Sequence, residues 1–168
     1  KSDLAIELAK IFDTEIISAD SRLVYKDFDI GTAKPTKEEL ASVRHHCVDI
    51  VLPTDDFSVS NYKDVAKKAM KNLFLDNKTP VIVGGTGFYV KSLLEELDIP
   101  KVEPDENFRK KMREISHDKG NEFLYDILKY KDEVAAQKLH PNDVFRVIRA
   151  LEVIEKTGKK MSELQIKK

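Results

Sequence analysis

The sequence predicts an α/β fold in which a parallel sheet with covering helices is followed by a purely helical part. Residues 15–19, 47–52 and 80–83 are short, largely apolar runs, as is typical of strands buried on both faces of a sheet. Helical patterns precede the first run, separate the second run from the third and follow the third. The character of the sequence changes near Pro100, and residues 105–157 contain helical patterns only. These observations place the sheet in the first hundred residues.

Three helices are predicted to cover the sheet. The first spans residues 3–11, the second begins at Ser58 or Ser60 as its N-cap, and the third runs from Phe88 to about residue 96. The first two have apolar residues three and four positions apart, so that one face of each helix packs inward. These apolar residues are Leu4, Ala5, Leu8, Ala9 and Ile11, and then Tyr62, Val65, Ala66, Ala69, Met70, Leu73 and Phe74.

Two breaks divide the helical part. One is Gly120, and the other is the stretch His-Pro-Asn-Asp at residues 140–143. Asn142 or Asp143 is expected to cap the last helix, and Gly158 is expected to end it. A stretch with two prolines at residues 97–104 is the predicted linker between the sheet and the helical part.

Composition excludes several classes of protein. The 168 residues include 29 basic and 30 acidic side chains, which argues against a basic nucleic-acid-binding tail. An apolar fraction of 41% excludes a disordered chain. The single cysteine, Cys47, excludes an internal disulfide and a CxxC metal site, and the four histidines lack metal-site spacing. No apolar run approaches the roughly 20 residues of a membrane helix, so we expect a cytoplasmic protein without a membrane partner.

Two motifs follow predicted strands, where parallel sheets bind ligands. Gly84-Gly85-Thr86-Gly87 stands between a strand and a helix, where glycines allow close backbone approach and the helix N-terminus favours an anion. Asp20-Ser21 follows the first strand, and Asp20 would serve as a general base or hold a metal through water. Tight turns or helix caps without a ligand explain both motifs as well, so these alternatives stay open.

Two further motifs suit phosphate binding. Arg146 and Arg149 flank the apolar stripe of the last helix, and guanidinium groups at this spacing can hold a phosphate bidentately. A solvated helix surface is the alternative. Lys1-Ser2 precedes a helix and matches the end of the phosphate-binding loop G-x-x-x-x-G-K-[ST], in which the lysine reaches phosphates and the hydroxyl binds Mg²⁺.

Three blocks taken together resemble the tRNA dimethylallyltransferase family, also called tRNA isopentenyltransferase. They are EIISADSRLVYKDFDIGTAKPT at 15–36, VIVGGTGFYVKSLL at 81–94 and HPNDVFRVIRALEV at 140–153, and residues 45–59 are similar too. The resemblance covers residues 1 to about 160. It implies a P-loop NTPase-like core with a helical insertion. It also implies transfer of a dimethylallyl group from dimethylallyl diphosphate to N6 of adenosine 37 in tRNA, with Mg²⁺ as cofactor and release of diphosphate.

The resemblance implies roles for individual residues. Asp20 corresponds to the carboxylate that hydrogen-bonds the adenine N6 amino group and is proposed as general base. Thr86 and Arg149 complete the expected catalytic set, Thr86 near the target base and Arg149 at the diphosphate. The expected diphosphate-binding residues are Lys1, Ser2, Arg146 and Arg149, and Ser2 is also the expected Mg²⁺ ligand. The expected tRNA-binding residues are Asp20, Ser21, Arg22, Leu23, Thr86, Arg109, Arg146 and Arg149.

The resemblance also implies an organisation of the chain. Residues 1–98 correspond to the P-loop-type core, 99–139 to a helical insertion that faces tRNA, and 140–168 to a helix that returns towards the core. The chain is expected to be truncated at both ends and to act as a monomer on the tRNA anticodon stem-loop. Residues 101–168 carry a net charge of +3 against −4 in residues 1–100, which suits contact with the phosphates of the stem.

Two other functions remain open on the sequence alone. A small-molecule kinase of the P-loop class would share the Lys-Ser element and the parallel sheet, and ATP turnover with a small acceptor would favour it. A catalytically inert tRNA-binding protein would keep the scaffold and bind tRNA without binding diphosphate.

Overall fold

The computed structural model describes residues 1–95 and 99–164. Its chain divides into two units, Lys1–Glu96 and Leu97–Lys168, each with its own hydrophobic core. The first unit contains the sheet, and the second is helical in its described part. The α/β character of the first unit and the helical character of the second are as predicted. The finer division at residues 98 and 139 stays a prediction.

The sheet of the first unit has three parallel strands in the order β2-β1-β3. These are β1 (Ile16–Ser18), β2 (His45–His46) and β3 (Val81–Val83). The predicted strands at 15–19 and 80–83 are confirmed. The predicted strand at 47–52 is wrong, because the pairing with β1 ends at His46.

Backbone geometry explains why the apolar run after His46 does not continue the strand. Cys47 and Asp49 have φ angles of 62° and 53°, in the left-handed region that extended strands do not use. Of the run, Val51 forms only an isolated parallel bridge with Tyr25. The run still contributes to the core through Cys47, which is 1% exposed. The apolar residues of this run therefore indicate burial and do not indicate strand pairing.

Four helices accompany the sheet in the described part of the first unit: α1 (Ser2–Ile11), α2 (Lys37–Ser42), α3 (Val59–Leu75) and α4 (Gly87–Leu94). Ser58 and not Ser60 caps α3, through a capping box with Asn61. A second capping box, between Thr36 and Glu39, starts the short α2, for which the apolar pattern gave no prediction.

Strand β1 separates two clusters of buried side chains. Ile16 lies in a cluster with Ala5, Ile6 and Ala9 of α1. Ile17 lies in the larger cluster, which α3 and α4 complete and in which the rings of Tyr62 and Tyr89 stack with centroids 3.9 Å apart. Consecutive residues of a strand point to opposite faces, so this alternation shows that β1 is covered on both sides.

The predicted inward face of α1 is partly wrong. Leu4 and Ile11 are 65% and 73% exposed, whereas Ile6, which was not expected to be inside, is buried. Ala5, Ile6 and Ala9 are the residues that pack inward. The helix is rotated so that its small side chains face the sheet, where alanines permit close approach.

The described part of the second unit consists of α5 (Glu106–Lys119), α6 (Asn121–Lys131), α7 (Glu133–Ala136), α8 (Val144–Thr157) and α9 (Met161–Leu164). Its core joins α6, α7 and α8 through Leu124, Leu128, Ala136, Val147, Ile148, Ala150 and Leu151. Among helices of the described residues, none is long and apolar enough to cross a bilayer.

The predicted ends of the last long helix are confirmed. Asp143 caps α8 by accepting a hydrogen bond from the Arg146 N–H (3.3 Å), and Gly158 ends it with φ 66°. Gly120, with φ 88°, separates α5 from α6 as predicted. Asp132 provides a further break, because its side chain caps α7 through the Ala135 N–H (3.1 Å).

Candidate functional site

The first candidate group lies where β1 and β3 end in the first unit. The Ala19 N–H donates to the Val83 carbonyl (2.7 Å), and the Thr86 N–H donates to the Ala19 carbonyl (3.0 Å). Between these bonds Gly84 lies so close to the neighbouring backbone that a Cβ on it would be 2.0 Å from the Ala19 oxygen. Glycine is therefore required here for close contact between two strand ends, which brings the Asp20 and Thr86 segments together.

Thr86 fixes the segment that follows β1. It is the N-cap residue of α4, but its hydroxyl caps no N–H of that helix. Instead, Thr86 Oγ1 accepts a hydrogen bond from the Ser21 N–H (2.9 Å) and donates to Ser21 Oγ (3.1 Å). The motif residues Ser21 and Thr86, which are 65 positions apart, are thus held side by side. Sequence reasoning singled out both residues but not their pairing.

Asp20 and Lys1 both face Gly85. Asp20 Oδ1 accepts a hydrogen bond from the Arg22 N–H (2.9 Å), which fixes the carboxylate in a local turn. A Cβ on Gly85 would lie 3.5 Å from Asp20 Oδ2 and 4.0 Å from Lys1 Nζ. A carboxylate oxygen and an ammonium group thus both lie near the exposed Gly85. Asp20 forms a local turn, as the sequence allowed, and its second oxygen lies on the side of Gly85.

The other residues expected at this end of the sheet differ in exposure. Ser2 is the exposed first residue of α1, directly after the N-cap Lys1. Ser21 and Arg22 are exposed as well, whereas Leu23 is 9% exposed and offers little surface to a ligand. Within residues 1–95 and 99–164, no group of three or more His, Cys, Asp or Glu side chains forms a metal site. A cation at Ser2 would therefore take most of its ligands from water and from a bound phosphate group.

The second candidate group lies in the helical unit around Glu152. This carboxylate has no exposed surface. Arg109 holds it bidentately, with Nε 2.8 Å from Oε1 and Nη2 3.0 Å from Oε2. Arg149 Nη1 donates to Oε2 (2.6 Å), and the Asp105 N–H donates to Oε1 (2.7 Å). The structure thus brings Arg109 and Arg149 together, on either side of a residue that sequence reasoning did not select.

The charges in this group shift one another's pKa values. Burial alone would raise the pKa of Glu152, but hydrogen bonds from Arg109, the Asp105 N–H and Arg149 outweigh it, so its pKa lies below the ordinary value. The hydrogen bond to Glu152 is the main reason why the pKa of Arg109 is raised. Glu152 is therefore an ionised carboxylate at neutral pH, held between two guanidinium groups.

Arg109 and Arg149 also line a cavity of about 250 Å³. Its other walls are one arginine and three apolar side chains: Arg113, Val144, Phe145 and Ile148. Arg146 is not part of this wall; it is 71% exposed and pairs with Asp143 at 3.4 Å. The two arginines of α8 that were expected to bind a phosphate together thus lie in different environments. Arg149 is held in place by hydrogen bonds beside the cavity, whereas Arg146 is exposed to solvent.

A signal for Glu152 was present in the sequence. On α8, Glu152 lies one turn after Ile148 and next to Leu151, so it falls within the apolar stripe of the helix. A charged residue in such a stripe is almost never fully buried unless it is paired. Arg149, three residues earlier, is on the same face and was the natural partner.

Comparison with known proteins identifies the family. The model of the family described as IPP transferase matches residues 23–168. The chain belongs to the IPP transferase family. This confirms the resemblance found in the three motif blocks. A "tRNA dimethylallyltransferase" of Caldicellulosiruptor bescii is 47% identical over 163 residues, and one of Thermoanaerobacter sp. is 48% identical over 165 residues.

Solved structures with this fold carry related names. The tRNA isopentenylpyrophosphate transferase of Bacillus halodurans is 39% identical, with a TM-score of 0.58 over 95% of this chain and 52% of that one. A eukaryotic dimethylallyltransferase acting on tRNA is 31% identical, with a TM-score of 0.75 over 99% of this chain and 43% of that one. These likenesses confirm the predicted fold class, a P-loop NTPase-like parallel sheet with a helical part.

The chain spans about half the length of the curated relatives it matches. The alignments with the two relatives named above cover 97% and 98% of this chain but only 52% of the length of each relative. Family and fold are therefore properties of this chain, while the activity belongs to proteins about twice as long.

Proposed function

We propose that the protein transfers a dimethylallyl group from dimethylallyl diphosphate to N6 of adenosine 37 in tRNA and releases diphosphate. Membership of the IPP transferase family is the observation that carries this proposal. The chemistry needs a group that orients and deprotonates a weakly nucleophilic amine, and cations that stabilise a leaving diphosphate. The carboxylate Asp20 and the cations Lys1, Arg146 and Arg149 are residue types that suit these tasks.

Asp20 is the proposed general base. One of its oxygens is held by the Arg22 N–H, so the other is directed towards Gly85 and is able to accept a hydrogen bond from the N6 amino group. Thr86 keeps this segment in place through its two bonds with Ser21. Adenosine 37 must leave its base stack to reach such a carboxylate, as in other enzymes that modify bases.

Lys1, Ser2 and Arg149, with Arg146, are the proposed diphosphate-binding residues. Lys1 is the N-cap of α1, so its ammonium group and the positive end of the helix act together on an anion. The hydroxyl of Ser2 would supply one ligand to Mg²⁺, which commonly keeps waters and binds substrate phosphates for the rest. When bound, Mg²⁺ neutralises charge that develops on the leaving diphosphate.

The proposed partner is the anticodon stem-loop of tRNA. The expected tRNA contacts with a positive charge are Arg22, Arg109, Arg146 and Arg149, and Ser21 and Leu23 follow Asp20 in the loop after β1. Arg22 and Arg146 are exposed, which supports a surface contact. Arg109 is bound to Glu152, so it would contact tRNA only through the N–H groups that Glu152 does not accept. A monomer in the cytoplasm is the expected state of the protein.

A transfer assay tests the proposal directly. Full-length protein is incubated with labelled dimethylallyl diphosphate, Mg²⁺ and unmodified tRNA that carries A at position 37 and U at position 36. Label is expected in the tRNA, at N6 of A37. Absence of transfer under conditions in which a known family enzyme works would refute the proposal. ATP turnover with a small acceptor would instead favour a kinase, and tRNA binding without diphosphate binding would favour an inert binding protein.

Asp20→Asn and Asp20→Ala separate catalysis from binding. Asparagine keeps an oxygen for the Arg22 N–H but cannot accept a proton, so the turn remains while the base is lost. Transfer is expected to fall by about 10²- to 10⁴-fold in Asp20→Asn, and at least as far in Asp20→Ala, with tRNA affinity nearly unchanged. Asp56→Asn, at an exposed position of the same unit, is the matched control. Equal loss of transfer and tRNA affinity would assign Asp20 a structural role.

A further inference from the structure

Glu152 concentrates more charge-assisted hydrogen bonds than the fold of the second unit requires. Its two oxygens receive four N–H donors, from Arg109, Arg149 and the Asp105 backbone. The cluster links α5 to α8, but hydrophobic packing already joins these helices through Phe108, Met112 and Ile115 of α5. A buried ion cluster contributes little net stability compared with apolar residues of the same volume, because desolvation opposes the attraction. The cluster therefore calls for an explanation other than stability.

The contacts of Arg149 provide that explanation. Its Nη1 donates to Glu152 and its Nη2 donates to the Val102 carbonyl (2.9 Å). Two bonds from different ends of a planar guanidinium group fix both its position and the orientation of its plane. The N–H groups not used in these bonds belong to a side chain that lines the cavity beside Arg109. Arg149 thus meets a ligand in a preset orientation.

Arg109 completes the arrangement from the other side. It occupies both oxygens of Glu152 and also donates to Glu106 (3.2 Å), so it is fixed as well. The cavity wall carries three guanidinium groups, those of Arg109, Arg113 and Arg149, and among the described residues they pair with only two carboxylates, Glu106 and Glu152. The remaining positive charge is available to an anion at the cavity.

We propose that Glu152 is a positioning residue that holds the guanidinium group of Arg149 in the orientation in which it binds the diphosphate. This inference rests on the proposed function, because it takes diphosphate as the ligand of Arg149. Glu152 itself is beneath the surface and does not contact the substrate. Its replacement should therefore weaken the anion step, while the hydrophobic core of the second unit, which does not include Glu152, still joins the helices.

Glu152→Gln tests the proposal in the full-length protein. Glutamine keeps the volume but offers one acceptor oxygen in place of two and presents N–H groups to an arginine, so Arg149 or Arg109 must turn away. We expect affinity for inorganic diphosphate, measured by calorimetry, to fall about tenfold. The kcat/KM for dimethylallyl diphosphate should fall at least as much.

Asp132→Asn is the matched control. Asp132 is also a buried carboxylate of the second unit, but its hydrogen-bond partners are Ala135 and Ser162. Both variants remove a buried charge, and both are compared at a temperature at which circular dichroism shows them folded. The positioning role requires that only Glu152→Gln weakens diphosphate binding. Equal weakening in both variants, or in neither, would overturn it.

Guanidinium dynamics give a readout that does not depend on activity. In ¹⁵N-labelled full-length protein, the Arg149 side-chain signals, assigned with Arg149→Lys, should show slow rotation about the Nε–Cζ bond. Faster rotation is expected in Glu152→Gln and not in Asp132→Asn. Unchanged rotation in Glu152→Gln would overturn the proposal. If the wild-type protein neither binds diphosphate nor transfers the prenyl group, the proposed function fails, and the rotation result still decides whether Glu152 orders Arg149.

Discussion

At the residue scale, the geometry of the first candidate group depends most strongly on Gly84. A Cβ there would lie 2.0 Å from one backbone atom and 2.2 Å from another, both of Ala19. Backbone atoms of a central strand cannot move aside as the end of a flexible side chain does. We expect Gly84→Ala to lower the free energy of unfolding by at least about 3 kcal/mol, as measured by urea denaturation.

Gly87→Ala is the control for that substitution. Gly87 is the first residue of α4, and a Cβ on it would meet nothing within 4 Å. Its replacement should change the free energy of unfolding by less than about 1 kcal/mol, because alanine favours a helix slightly. A similar decrease in the free energy of unfolding in both variants would show that the effect of Gly84→Ala does not come from a clash with the Ala19 backbone.

At the scale of elements, the start of α3 depends on one side chain. Ser58 Oγ accepts a hydrogen bond from the Asn61 N–H (3.3 Å), and Asn61 Oδ1 accepts one from the Ser58 N–H (3.0 Å). Ser58→Ala removes one arm of this capping box and should cost about 1 kcal/mol in the free energy of unfolding. Ser60→Ala, inside the helix, should cost less. The reverse order would place the cap at Ser60.

Asp132 gives the second unit a dependence on pH. Burial raises the pKa of its carboxyl group, but hydrogen bonds from Ser162 and Ala135 and the charge of Lys160 outweigh burial and leave the pKa below its usual value. A group with a lower pKa in the folded state stabilises the protein above its unfolded pKa, near 3.8, and loses this contribution as the pH falls through the folded pKa.

Asp132→Asn should reveal this contribution. The difference in unfolding free energy between wild type and variant is expected to be largest near neutral pH and to shrink below about pH 4. In that range the carboxyl group of the unfolded wild-type chain binds a proton, whereas the folded chain binds it only at its lower pKa. Urea denaturation over this range measures it. A difference that stays constant with pH would mean that the lost hydrogen-bond geometry, and not the charge, accounts for the effect.

At the scale of the whole molecule, charge is divided along the chain. The net charges of −4 and +3 in residues 1–100 and 101–168 average to nearly nothing. Arg146 belongs to the basic part and is 71% exposed, and its surface ion pair with Asp143 contributes little stability. It is therefore a side chain that can move to a tRNA phosphate at small cost.

Arg146→Ala should weaken tRNA binding in a salt-dependent way. The slope of log affinity against log salt concentration is expected to fall by about one, since one phosphate contact is lost. Lys71→Ala, at an exposed position of α3 in the acidic part, should leave the slope unchanged. An equal decrease for both variants would indicate general electrostatic attraction and not a contact made by Arg146.

Local patterns predicted the elements that local physics controls. Runs at 15–19 and 80–83 and the Gly158 end were readable from neighbouring residues, and Ser58 and Asp143 were each one of two candidate caps. The strand at 47–52 was predicted wrongly, and the inward face of α1 was partly wrong. Both Cys47 and α1 pack in clusters with residues distant in sequence, which periodicity does not report.

The linear order of the motifs was sufficient to identify the family, the fold class and the residue types available for the chemistry, because all three are written in the order of residues along the chain. Which groups meet depends on the folded chain. The tertiary structure paired Thr86 with Ser21, turned Asp20 and Lys1 towards Gly85, and buried Glu152 between Arg109 and Arg149. Such contacts join residues 40 or more positions apart in most cases, and their geometry depends on strand register and helix packing, which no local pattern contains.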